Sequence, residues 1–146
     1  QMQNGVFSGW KAHRQAYCDA HSLMSIKQDV KLLNEHIVGY TVEKALHHTR
    51  TRHPLNAEEV AWFLPHYSSG YFRDKVYAGL KNAGFELGFE KWFTNLPEKG
   101  NTGSASIYIM LDEFIRSGRA QKGEKILCYI PESGRFSSCF MLLEAV

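Results

Sequence analysis

Apolar residues recur along this chain with two different periods. Val30, Leu33, Ile37 and Tyr40 step by three or four, which puts them on one face of a helix between residues 29 and 50. Asp29 near its start and His47, His48 and Arg50 near its end suit the helix dipole, and Pro54 lies just beyond, where a helix cannot continue. Residues 60–64 are short, bulky and continuous, as in a strand buried on both faces, and Pro65 stops them. Ser68 and Ser69 then offer side-chain caps to a helix carrying Phe72, Val76 and Leu80, which Asn82-Ala83-Gly84 closes as a glycine C-cap.

Residues 91–96 give a second short strand, followed by the turn Pro97-Glu98-Lys99-Gly100. Ile107, Met110, Leu111, Phe114 and Ile115 form the wide apolar face of a third helix, which ends at Ser117-Gly118. Residues 126–130 make another apolar strand. Pro131-Glu132-Ser133-Gly134-Arg135 turns the chain, and Phe140-Met141-Leu142-Leu143 supplies the last strand, antiparallel to its predecessor. The first 25 residues mix polar and aromatic positions without a period and read as irregular, with at most one helix. The sequence thus predicts helix, strand, helix, strand, helix, strand, strand, an α/β layered domain with helices packed on its sheet.

Composition narrows the function classes. The chain has 146 residues, 44% hydrophobic, enough for one domain with its own core. Its net charge is only +2, so no nucleic acid and no anionic membrane is implied as a partner. Trp10 and Trp62 are not interleaved with basic residues as a stacking surface for nucleic acid requires. The longest apolar runs are about five residues, against roughly 20 for a membrane span. The start at Gln1 is neither Met nor a signal-peptide pattern, which suggests an excised or processed fragment. Cys18, Cys128 and Cys139 are odd in number and without repeated spacing, so they read as buried thiols in a reducing, cytoplasmic setting. His47, His48 and His53 lack the spaced carboxylate or Cys partners of a metal site, so no metal is expected. Lys44, Arg50 and Arg52 form a basic patch that fits either a solvated helix end or an acidic partner.

Two segments place polar side chains just past an apolar strand and at the mouth of the following helix, where sites form in open α/β sheets. They are Leu64-Pro65-His66-Tyr67-Ser68-Ser69 and Lys99-Gly100-Asn101-Thr102-Gly103-Ser104-Ala105-Ser106. Either alone also fits an ordinary helix cap. Together, with Asn101 following His66 by 35 residues, they resemble the C-terminal half of the condensing enzymes of fatty-acid and polyketide synthesis, most closely the 3-oxoacyl-[acyl-carrier-protein] synthase III branch. The resemblance runs from about residue 24 to the end. It includes the basic, glycine-containing lead Ala120-Gln121-Lys122-Gly123-Glu124-Lys125-Ile126-Leu127 and the loop holding Gly134 and Phe136.

That resemblance implies half of a thiolase-like fold: a lead-in at 1–25 and a C-terminal condensing domain at 26–146, without the half that carries the nucleophilic Cys. It implies an acyltransferase that joins a malonyl thioester, with loss of carbon dioxide, to an acyl-enzyme. His66 and Asn101 would be the catalytic pair that stabilises the enolate, and a backbone N–H near Gly134 an oxyanion donor in the substrate loop. No cofactor is implied. The implied partners are acyl-CoA or acyl-ACP, malonyl-ACP, the acyl carrier protein, the N-terminal half of the same fold and a second copy in a homodimer. The chain departs from the family pattern at Tyr67-Ser68-Ser69, at Arg73 and in the loop Pro131-Glu132-Ser133-Gly134-Arg135-Phe136. A non-catalytic half-domain that binds an acyl group or a carrier protein is the rival reading, and a structural half completed by a separate chain is a third. An isolated half should expose apolar surface and self-associate.

Overall fold

A computed structural model of the chain describes residues 29–146. The lead-in, Trp10 and Cys18 lie outside the described residues. Asp29 accepts the Leu32 amide at 2.9 Å, satisfying one of the N–H groups that a helix start leaves without a partner. Helix α1, Val30–Val38, passes through a π-turn at Gly39–Lys44 into α2, Ala45–Arg52.

The π-turn changes which face is buried. Ile37, Thr41, Val42 and Leu46 point inward, whereas Val30 and Tyr40, expected inside, are exposed. Each π hydrogen bond spans one residue more than an α bond. The helix face therefore rotates after Val38, and the inward position falls on Thr41 and Val42 instead of Tyr40.

Strand β1, Val60–Pro65, pairs in parallel with β2, Lys125–Glu132, which pairs antiparallel with β3, Ser137–Glu144. The sheet order is β1-β2-β3. Alternate residues divide the core between the two faces of the sheet. Phe63, Leu127 and Tyr129 join Val42, Leu46, Val76 and Leu80 on one side, and Leu64, Ile126 and Cys128 join Ile107, Met110 and Phe114 on the other. The fold is α/β, a mixed sheet with helices on both faces, as the pattern predicts.

Helix α3, Arg73–Asn82, lies on the first face. Neither Ser68 nor Ser69 caps it with a side chain; a 3-10 turn intervenes, closed by the Phe72 amide on the main-chain oxygen of Ser69 at 3.1 Å. Its end is the expected glycine cap. Gly84, at φ +64°, donates to Lys81 and Phe85 donates to Leu80, both at 2.9 Å. A Cβ at Gly79 would stand 2.6 Å from Val38 Cγ1, so a glycine lets α3 press against α1.

Residues 91–96 are not a strand. Trp92 makes a single bridge to Phe63, and the Phe93 amide donates to Phe63 O at 2.9 Å. Lys91 Nζ takes the Val60 carbonyl at 2.7 Å, and the chain then turns into the short helix α4, Leu96–Lys99. A lysine thus covers part of the β1 edge that a longer strand would have paired. Helix α5, Ser106–Arg116, covers the other face; it ends at Ser117-Gly118 as expected, but Ile115 is exposed. Cys128 is buried, whereas Cys139, expected inside, is exposed on β3.

Candidate active site

The parallel ladder continues one residue past β1. His66 donates its backbone N–H to Tyr129 O at 2.8 Å, which fixes where the imidazole leaves the sheet. The ring is half-buried, and burial holds its pKa below the ordinary histidine value of 6.5, so the neutral form is favoured. Tyr67, the next residue, turns into the core.

Asn101 arrives from a different kind of support. Gly100, at φ +70°, ends α4 and turns the chain outward, leaving Asn101 exposed. The Gly103 amide donates to Asn101 Oδ1 at 2.9 Å, so the carboxamide NH2 is the end left to face a ligand. The loop is pinned from α5. Ser106 Oγ accepts the Thr102 amide at 3.0 Å and lies 2.9 Å from Thr102 Oγ1.

His66 and Asn101 line one cavity of about 410 Å3. Its other walls are Leu33, Ile37 and Val38 from α1, Phe72 and Val76 at α3, Ile107 from α5, and Tyr129 to Ser133 at the end of β2. Most of that lining is apolar. Among the described residues no Lys or Arg lines it, and Glu132 is its one carboxylate. An imidazole and a carboxamide over an apolar chamber supply N–H donors to an oxygen gaining negative charge, without a cation that would hold a carboxylate in place.

Gly134 lies outside this lining. Its N–H donates to Glu132 Oε1 at 2.6 Å, while Arg135 N–H and Ser137 Oγ donate to Oε2 at 3.0 and 3.3 Å. The loop's amide is thus already engaged by a carboxylate two residues before it. Sequence reading missed Glu132; a carboxylate just ahead of a Gly-containing turn was the available signal. It also missed Thr41 and Tyr129, for which no local signal exists.

Neither described cysteine stands at a helix start. Cys128 is in the sheet, with its thiol pushed up to about 12, chiefly by burial, so it does not ionise near neutrality. Among the described residues no group of three His, Cys, Asp or Glu is placed to hold a metal, and no helix is long and apolar enough to cross a membrane.

Residues 51–134, more than half of the chain, match the family of the 3-oxoacyl-[acyl-carrier-protein] synthase III C-terminal domain. The chain belongs to that family. His66 and Asn101 both fall inside the matched span. A beta-ketoacyl-[acyl-carrier-protein] synthase III from Microcystis aeruginosa is 39% identical over 89 residues, 61% of this chain and 24% of the relative. The crystal structure of the Thermus thermophilus synthase III is similar at a TM-score of 0.65 and 22% identity, covering 83% of this chain and 35% of that one. The synthase III from Xanthomonas oryzae gives 0.65 at 25% identity, covering 79% and 32%. The chain spans about a quarter of the length of the curated relatives it matches. The family match covers the His66 and Asn101 segments and the end of β2, while the α1 wall of the cavity lies ahead of the matched span.

Proposed function

We propose that the chain supplies the enolate-stabilising half of a condensing site, in an acyltransferase that makes 3-oxoacyl thioesters for fatty-acid or polyketide-type synthesis. The observation that carries this reading is that His66 and Asn101, far apart in sequence, line one mostly apolar cavity. In the proposed step a malonyl thioester loses its carboxylate as carbon dioxide, and the electron pair of the broken C–C bond moves into an enolate. His66, kept neutral by burial, and the Asn101 NH2 donate to the enolate oxygen. The carbanion then attacks the carbonyl of an acyl group held on a cysteine, and the thiolate leaves as the new C–C bond forms. That cysteine is neither Cys128 nor Cys139 and belongs to the remainder of a complete site. Acyl-CoA or acyl-ACP, malonyl-ACP and the carrier protein are the partners this reading requires, with a homodimer as the working assembly.

The test is malonyl-CoA added to the 146-residue chain, with His66 ring and Asn101 side-chain resonances followed by NMR and carbon dioxide release measured alongside. Both resonances should shift. The chain alone, without the half that carries the cysteine, is not expected to condense; joined to that half, His66→Ala or Asn101→Ala should lower decarboxylation by on the order of 10²-fold. Binding with both shifts but no carbon dioxide from the joined protein favours the non-catalytic acyl-binding reading. Shifts at neither residue overturn the site.

A further inference from the structure

The irregular turn in the long helix has a partner in the central strand. Thr41, in the π-turn, is fully buried, and its hydroxyl donates to the Ile37 carbonyl at 2.7 Å. A threonine hydroxyl has one proton to give. Its 2.6 Å contact with the phenol of Tyr129 therefore runs the other way, with Tyr129 donating and Thr41 accepting. The main-chain carbonyl of the same tyrosine accepts the His66 amide at 2.8 Å. One residue of the central strand thus holds His66 through its backbone and the α1 wall through its side chain.

We propose that Tyr129 is a positioning residue, whose phenol, bonded to Thr41, sets how closely the α1 wall approaches His66 and so which acyl chains the cavity accepts. The ligand in this inference rests on the reading under Proposed function; the geometry does not. The Tyr129 ring is already packed by Phe63 and Phe140, at 6.4 and 5.3 Å between centroids, so a phenylalanine would keep that packing. It would remove only the directional bond. Apolar contact is non-directional and tolerates sliding, whereas a buried hydrogen bond fixes a distance and an angle. The π-turn lies at this fixed point, and wide turns of its kind are rare and frequent at functional sites. Tyr40, beside Thr41, also meets Phe136 of the β2–β3 loop at 5.8 Å, a second contact between the same turn and the sheet end.

The experiment compares the 146-residue chain with Tyr129→Phe, Thr41→Val and the double variant. Acetyl-, octanoyl- and myristoyl-CoA are titrated by calorimetry, and the methyl groups of Leu33, Ile37 and Val38 are followed by NMR without ligand. Each single variant should shift all three sets of methyl signals and change the ratio of acyl-CoA affinities by up to about tenfold, the worth of one such bond. The double variant should shift it no further than Thr41→Val alone, which removes the same Tyr129 bond together with the Thr41–Ile37 bond. Unchanged methyl signals and unchanged affinity ratios in Tyr129→Phe overturn the inference. Should the unsubstituted chain bind none of the three thioesters, the acyl-thioester reading fails, and the methyl spectra alone decide the positioning role. Unchanged methyl signals of Leu33, Ile37 and Val38 in Tyr129→Phe would then reject it.

Discussion

His66 and Asn101 meet at one cavity but are held there by opposite means. His66 stands one residue beyond a strand whose last three positions are buried, with the Phe63 ring against Trp92 at 5.0 Å and the Tyr129 carbonyl on its amide. Its place is a consequence of the whole core. Asn101 is exposed on a loop, fixed by one amide from Gly103 and by the grip of Ser106 on Thr102. Its place is a consequence of a few neighbours in sequence. Disturbing the first donor should therefore cost stability, whereas disturbing the second should cost order at the site while the fold persists.

The largest effect should come from the sheet. Phe63→Ala deletes a fully buried ring that packs on Trp92 and Tyr129 and lies in the strand leading to His66. A loss of about 3–5 kcal/mol in urea unfolding is expected, the usual range for emptying a buried aromatic site. A loss below about 1 kcal/mol would mean that the core can close over the gap, and that His66 does not depend on it as argued.

Ser106→Ala should act on the other side. It removes the acceptor of the Thr102 amide and the partner of its hydroxyl, at a partly buried position, so about 0.5–1.5 kcal/mol is expected. The informative readout is NMR. The Asn101 side-chain amide should broaden or move toward a solvent-averaged position while the His66 ring signals hold still. Equal disturbance of both residues would erase the distinction between them.

The same contrast explains what the sequence made legible. Local signals are legible for the β1 stretch, the glycine ends at Gly84 and Gly118, and the antiparallel pair after residue 125, but Pro65 does not stop β1: it is the strand's last residue, paired with Tyr129. His66 and Asn101 were found because each motif is contiguous. Residues 91–96 have a strand's composition, and Trp92 and Phe93 alternate between the two layers against Phe63 and Phe114 as strand residues do, but the segment pairs with β1 only through a single bridge to Phe63 before Pro97 lets a helical turn begin. Cys139 sits in a run that reads as buried, yet among the described residues β3 has a strand neighbour on one side only and presents alternate residues to solvent. The π-turn had no signal. Its Thr41 is bonded to Tyr129, 88 residues away, and no periodicity within either segment anticipates that contact.

The smallest effect expected is the part of the pH dependence of stability that His66 contributes. Burial depresses its folded-state pKa below 6.5, the value taken for the unfolded chain. Above that value the imidazole is neutral in both states and contributes no slope. As pH falls through 6.5 the unfolded chain binds the proton first, so stability drops until the folded-state pKa is passed and then levels. Desolvation is the cause of the shift, so the slope measures how far burial disfavours the imidazolium. Urea midpoints taken from about pH 8 to pH 5 for the chain and for His66→Gln isolate the effect, because the other histidines contribute alike to both and cancel. Ser106→Ala should retain the full slope, since the Asn101 side of the cavity does not bury the ring through the sheet. Coincident slopes for the chain and His66→Gln would mean an imidazole as well hydrated as in the unfolded state, and the neutral donor required beside Asn101 would lose its physical basis.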